Sequence, residues 1–174
     1  RGEGTGIFRM GFPIMQWLFT GFHMLFGDDV MITRILTFFV GLFSIAGIYK
    51  LVKKIFCQEH IALIGAWCFA FSPSFFYYVV NPMSDNFALC CSIWGLVFFF
   101  SYIKNENKSD IVQSGFFLGL GALIKLPFVI YYIIPFIFFL KITPKSGFHR
   151  DILWGMIVYV ISIFIPGLWY LWVI

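Results

Sequence analysis

Residues 61–103 read IALIGAWCFAFSPSFFYYVVNPMSDNFALCCSIWGLVFFFSYI, and Asp85 is the only charged residue among them. An uncharged run of 20 residues (61–80) precedes the NPMSD segment, and one of 18 residues (86–103) follows it. About 20 mostly apolar residues cross the hydrocarbon core of a bilayer as a helix. In lipid the backbone must satisfy its own hydrogen bonds, which excludes single strands. The stretch therefore predicts two membrane helices whose short connector carries one carboxylate.

The composition of the whole chain points to the same class. Of the 174 residues, 61% are hydrophobic and only 11% are charged, whereas soluble domains carry about 25% charged residues. A third uncharged run covers 23 residues at 152–174. We predict an all-α polytopic membrane protein that is surrounded by the lipid bilayer and has no nucleic-acid partner.

Polar connectors divide the chain into apolar segments. The segment at about 12–27 is short for a span and contains Gln16 and His23, so we expect an outer helix lying in the membrane interface. The predicted spans lie at about 30–50, 61–80, 86–103, 109–124, 126–141 and 152–174. Together they form a single transmembrane domain over 1–174. Because the chain begins with Arg1 and stops inside an apolar run, we expect it to be an internal piece of a longer protein.

The segment at 111–140 allows two topologies, since Lys125 is its only charge. One helix of this length would extend about 45 Å, too long without a steep tilt. Two short spans with a turn before Pro127 agree better with the proline. They also place connectors 50–60, 104–110 and 141–151 on one face, with eight of the twelve Lys and Arg residues. The positive-inside rule makes that face cytoplasmic.

This topology places Asp28, Asp29, Asp85 and Lys125 at the opposite, outer face, with Arg34 about one turn into its span. Ionisable residues at such positions are candidate functional sites. For Asp85 two interpretations stay open. It either complements the dipole of a helix start, with Ser84 as a possible cap, or contacts the hydroxyl or amino groups of a substrate.

The two outer cations also have two interpretations each. Lys125 either snorkels to the interface from a tight turn or binds a lipid phosphate. Arg34 either pairs with Asp28 or Asp29, or helps to bind an anion. No histidines or cysteines have metal-ligand spacing, so no metal site is proposed.

The order of these features resembles a known superfamily. It is carried by FPIMQWLFTGFHMLFG (12–27), DDVMITRILTFFVGLFSIAGIYKLVKKIF (28–56), HIALIGAWCFAFSPSFFYYVVNPMSDNFAL (60–89) and GFFLGLGALIKLPFVIYYIIP (115–135). Together they are similar to the membrane core of the protein O-mannosyltransferase and lipid A aminoarabinose transferase superfamily. Within it, they most resemble bacterial members described as family 39-type glycosyltransferases.

The resemblance implies a GT-C fold with interfacial helices in the first outer loop. It also implies a glycosyltransferase that moves a sugar from a polyprenyl phosphate to a lipid, glycan or protein. The implied location is the bacterial cytoplasmic membrane, with the active site facing the periplasm or the outside. No cofactor is predicted beyond the lipid-linked sugar donor, and the need for a divalent metal stays open.

The resemblance also assigns roles to residues. The main catalytic acid of the family lies upstream of Arg1, which leaves Asp85 a supporting role at the sugar or the acceptor. Arg34 and Lys125 match cations that would face the phosphate. Many members have Lys-Gly where this chain has Lys125-Leu126-Pro127. The resemblance therefore supports the position of the lysine more strongly than the role of the lysine. A transporter or lipid flippase is the alternative function, although such proteins keep their charges on broken helices near the membrane midplane.

Overall fold

The computed structural model describes residues 12–27, 29–141 and 149–173, and these residues contain helices but no strand. Within these ranges eight α-helices follow one another, with one 3-10 helix at Leu126–Tyr132 between the sixth and the seventh. They are α1 (Ile14–Phe26), α2 (Val30–Phe56), α3 (Glu59–Ala70), α4 (Pro73–Val80), α5 (Ser84–Asn105), α6 (Lys108–Ile124), α7 (Ile133–Lys141) and α8 (His149–Val173). The predicted all-helical class is confirmed. Asp28 and Lys145, two of the charges used for the topology, lie outside the described residues.

Helix α5 is the centre of the bundle. It packs against α2 and α6, and α6 packs in turn against α8. Within its apolar window 72% of the residues are buried, against 22% for α2 and for α8, whose outer faces carry large hydrophobic side chains. The surrounding helices therefore expose their apolar faces, as expected for a bundle in lipid.

Small residues allow α6 and α8 to approach closely. A Cβ atom on Gly115 would lie 2.7 Å from Cγ1 of Val158, and one on Gly119 would lie 3.1 Å from the carbonyl oxygen of Ser162. Glycine is required at such contacts because helices in a membrane associate through close packing rather than through the hydrophobic effect. The spacing of these two glycines in the sequence thus corresponds to a helix interface.

Three described helices are long and apolar enough to cross a membrane: Val30–Phe56, Ser84–Asn105 and Leu153–Trp172. A fourth span is possible as the pair Glu59–Ala70 and Pro73–Val80, which is bent by 62°. The segment predicted as a span at 61–80 is thus a bent pair of helices and not one continuous helix. Ser72 is extended and Pro73 opens a new helix, since a proline disfavours helical geometry at the residue before it.

The predicted segment 126–141 also differs from a regular helix. It begins as the 3-10 helix and continues as α7, and α6 ends just before it at Ile124. The count of six spans and the interfacial position of α1 remain predictions.

Candidate functional site

The corner between α6 and the 3-10 helix begins at Lys125, whose backbone is extended (φ −151°, ψ 117°). In a continuous α-helix the N–H of residue 127 would bond to the carbonyl of Leu123. Residue 127 is a proline and has no N–H, so this carbonyl needs another donor. The end of α6 before Lys125 thus leaves the carbonyl oxygen of Leu123 free to accept hydrogen bonds from distant residues.

Two distant donors converge on that carbonyl. The backbone N–H of Phe12, just before α1, lies 3.2 Å from the oxygen of Leu123, and the hydroxyl of Tyr170, near the end of α8, lies 3.3 Å from it. The ring of Phe12 also packs edge-on against Trp169, with centroids 4.6 Å apart. The start of α1 and the end of α8 are therefore fixed at the corner that carries Lys125.

Lys125 forms an ion pair with Asp85, which lies in the first turn of α5. The ammonium donates a hydrogen bond to Oδ1 of the carboxylate. The Asp85 side chain is 20% exposed and that of Lys125 is 43% exposed, so the pair lies at the edge of the bundle and remains accessible. Two residues that the sequence selects separately thus form one half-buried charged site.

The N-cap of α5 is not the residue that the sequence suggests. Ser84 is the first residue of the helix, and Met83 at the N-cap position makes no side-chain cap. Ser84 as cap is therefore wrong. Asp85 remains in the first turn, where its charge complements the helix dipole, and it also pairs with Lys125.

Arg34 is not part of the ion pair. Its side chain is exposed on the second turn of α2, and it makes no ion pair with any described residue. Asp29, one of its two expected partners, caps α2 by accepting a hydrogen bond from the N–H of Met31 at 2.9 Å. The other expected partner, Asp28, lies outside the described residues.

Sequence reasoning missed Asn86, the neighbour of Asp85. Its side chain is fully buried, and Nδ2 donates to the carbonyl oxygen of Thr37 on α2 at 3.1 Å. The available signal was an amide at the start of an otherwise apolar run, because a buried amide needs partners.

An apolar groove of about 250 Å³ lies between the 3-10 helix, α7 and α8. Val129, Phe136, Met156 and Ile163 are among its lining residues. The two tyrosine hydroxyls of the lining are engaged elsewhere, Tyr132 with Ser162 at 2.9 Å and Tyr159 with Ser114 at 2.8 Å. The lining begins four residues after Lys125, about 8 Å along a 3-10 helix.

Among the described residues, no group of three or more His, Cys, Asp or Glu side chains is arranged to hold a metal ion. The ionic groups that the structure describes at this site are the ammonium of Lys125 and the carboxylate of Asp85, with the guanidinium of Arg34 on α2.

These features define an integral membrane protein with an all-helical bundle and a charged site at one end of it. A family model described as dolichyl-phosphate-mannose-protein mannosyltransferase matches residues 11–170. The chain belongs to this family, which confirms the resemblance seen in the sequence and makes it a membrane glycosyltransferase of the GT-C type. Comparisons with curated proteins and with solved structures give no match.

Proposed function

We propose that the protein transfers a sugar from a polyprenyl-phosphate donor to a lipid, glycan or protein acceptor on the non-cytoplasmic face of the membrane. In this reaction the acceptor oxygen forms a bond to C1 of the sugar. The bond from C1 to the phosphate oxygen breaks, and the polyprenyl phosphate leaves with that electron pair. A general base takes the acceptor's proton, and cations stabilise the departing phosphate.

The observation that carries the proposal is the ion pair between Lys125 and Asp85. An ammonium has three donors, and one of them is directed to Asp85. The other two are available for phosphate oxygens. The second oxygen of the Asp85 carboxylate is available for a hydroxyl of the sugar or the acceptor, since an ionised carboxylate only accepts hydrogen bonds.

In this proposal Asp85 has a supporting role. The general base is another acidic residue, as the resemblance implies. Arg34 supplies a second cation to the phosphate from α2, where its exposed side chain has no ion-pair partner among the described residues. The pair would hold Lys125 in place until the donor's phosphate arrives.

The apolar groove supports a donor with a long hydrocarbon chain. Its lining begins at Val129, four residues after Lys125, and its side chains are almost entirely apolar. A polyprenyl phosphate bound at Lys125 would find there a surface for the isoprene units nearest its phosphate.

The positions of the charged residues at the two ends of α5 and α6 support the proposed side of the membrane. Asp85 lies at the start of α5 and Lys104 at its end, and the 22 residues of that helix extend about 33 Å. Lys108 and Lys125 lie at opposite ends of α6 in the same way. The lysines that the positive-inside rule assigns to the cytoplasmic face are thus about a membrane thickness away from the ion pair.

Binding of the lipid phosphate tests the proposal directly. The probe is dolichyl phosphate, added to the purified full-length protein in detergent, and the measurement is the thermal midpoint, which a bound ligand raises. We expect the wild type and Lys104→Met to be stabilised and Lys125→Met not to be. Lys104 is the matched control because it lies at the other end of α5.

Transfer is measured on the same preparations with dolichyl phosphate carrying radiolabelled mannose, followed into lipid, glycan and protein fractions. Equal stabilisation of the wild type and both variants would remove Lys125 from the phosphate site. A wild type that neither binds the lipid phosphate nor transfers the label would overturn the proposed function.

A further inference from the structure

Asn86 is the residue that ties the start of α5 to α2. Its Nδ2 lies 3.1 Å from the carbonyl oxygen of Thr37, and both residues have no exposed surface. Its Oδ1 is buried as well and accepts no hydrogen bond from any residue that the structure describes. The side chain next to Asp85 thus contacts a different helix from the one that Asp85 reaches.

Stability alone does not explain this amide. A buried acceptor without a donor lowers the stability of a fold, and an apolar side chain of similar shape avoids that loss. Buried polar groups without partners are infrequent in folded proteins, and each needs an explanation. Leucine has the same branching as asparagine and carries no buried polar atom, with two methyl groups that are larger than the amide oxygen and nitrogen.

The hydrogen bond between Asn86 and Thr37 connects the surroundings of two candidate site residues, Arg34 and Asp85. Thr37 lies one turn after Arg34 on α2, and its hydroxyl donates to the carbonyl of Arg34 at 2.9 Å. Asn86 directly follows Asp85 on α5. The contact between Asn86 and Thr37 therefore fixes the segment that carries Arg34 against the segment that carries Asp85.

We propose that Asn86 is a positioning residue, which sets the separation of Arg34 and Asp85 by holding the first turn of α5 on α2. The effect on activity rests on the proposed function, whereas the effect on helix position does not. A displacement of about 1 Å at a reacting centre lowers rates by about a hundredfold, so a small shift of α5 is enough to be measured.

The chain offers a matched control on the same two helices. Trp94 on α5 donates through Nε1 to the carbonyl oxygen of Phe43 on α2, also at 3.1 Å. This second link lies eight residues further along α5, about 12 Å from Asn86. Trp94→Phe removes that hydrogen bond and leaves the helix start untouched.

Helix position is measured without substrate by the distance between two spin labels. The labels are attached to Met31→Cys on α2 and Ser84→Cys on α5, after the two exposed native cysteines, Cys57 and Cys68, have been replaced by serine. Thermal midpoint and mannose transfer from dolichyl phosphate mannose are measured on matching proteins without labels. Asn86→Leu is the main variant, and Asn86→Ala replaces it if the leucine protein does not fold.

We expect the Asn86 variant to remain folded, to shift or broaden the distance distribution, and to lose about tenfold to a hundredfold in transfer. Trp94→Phe should leave the distance distribution and the transfer rate as in the wild type. An unchanged distribution in the Asn86 variants overturns the inference, and so does a changed distribution with wild-type transfer. A changed distribution in a protein whose wild type transfers no mannose supports the positioning role and counts against the proposed function instead.

Discussion

The ammonium of Lys125 donates a hydrogen bond to the carboxylate of Asp85 across 40 residues of sequence, and so joins the end of α6 to the first turn of α5. Both side chains remain partly exposed. An ion pair of this exposure contributes about 0–1 kcal/mol to stability. Substitutions at the pair should therefore change ligand binding and transfer more than they change folding.

Asp85→Asn should separate a site role from a structural one. The amide oxygen still accepts a hydrogen bond from Lys125, so the free energy of unfolding should fall by about 0.3–1 kcal/mol through loss of the charge near the helix start. Sugar transfer should fall by about tenfold, because a substrate hydroxyl bonds more strongly to a carboxylate than to an amide. Thermal midpoint and transfer are measured on one purified preparation.

The control for this variant is Asp110→Asn, which changes an acidic residue in the first turn of α6 at the opposite end of the bundle. It should leave transfer unchanged. Equal losses of transfer in both variants, or no loss in either, would show that Asp85 has a purely structural role.

Exchanging the two charges tests the pair as a unit. The double variant Asp85→Lys with Lys125→Asp restores the attraction that each single variant removes, so its thermal midpoint should exceed the midpoints of both single variants. The coupling free energy should be about 0.2–1 kcal/mol. Transfer should stay low, since the ammonium no longer lies at the corner that precedes the groove. Recovery of transfer together with stability would show that only the pairing matters.

Tyr170→Phe should loosen the corner at Lys125. It removes one of the two hydrogen bonds to the Leu123 carbonyl, and a lost intramolecular hydrogen bond costs about 0.5–1.5 kcal/mol. We expect a lower thermal midpoint in detergent and weaker stabilisation by dolichyl phosphate. Tyr77→Phe, at an exposed tyrosine on α4, is the control and should match the wild type. An unchanged Tyr170→Phe protein would contradict the role of this contact.

Topology is tested by cysteine labelling in intact cells with a membrane-impermeant reagent. A cysteine at Pro82, in the connector before α5, should react from outside, whereas one at Asn105 should react only after permeabilisation. Native Cys57, exposed between α2 and α3, should also react only after permeabilisation, so it is replaced by serine when Asn105→Cys is tested. Labelling of the Asn105 position in intact cells would reverse the orientation.

The sequence by itself determined the class of the protein and the position of the corner. Uncharged runs such as 86–103 exclude a soluble fold because they leave too little polar surface for water. Pro127 breaks the helix because it lacks the N–H that the helix needs. Both effects are local or compositional, so they can be read from residues that are adjacent in the chain. The bend within the predicted span at 61–80 was not anticipated, since hydrophobicity alone does not register a break before Pro73.

Only the tertiary structure decided which polar groups meet. Asp85 and Asn86 are neighbours in sequence, yet one bonds to Lys125 beyond α6 and the other to Thr37 on α2. Successive side chains on a helix point about 100° apart, so their partners depend on which helices pack around α5 and at what rotation. That rotation is set by close contacts along the whole helix, such as Gly95 against Leu118. No local sequence pattern specifies it, because it results from packing between segments that are far apart in the chain.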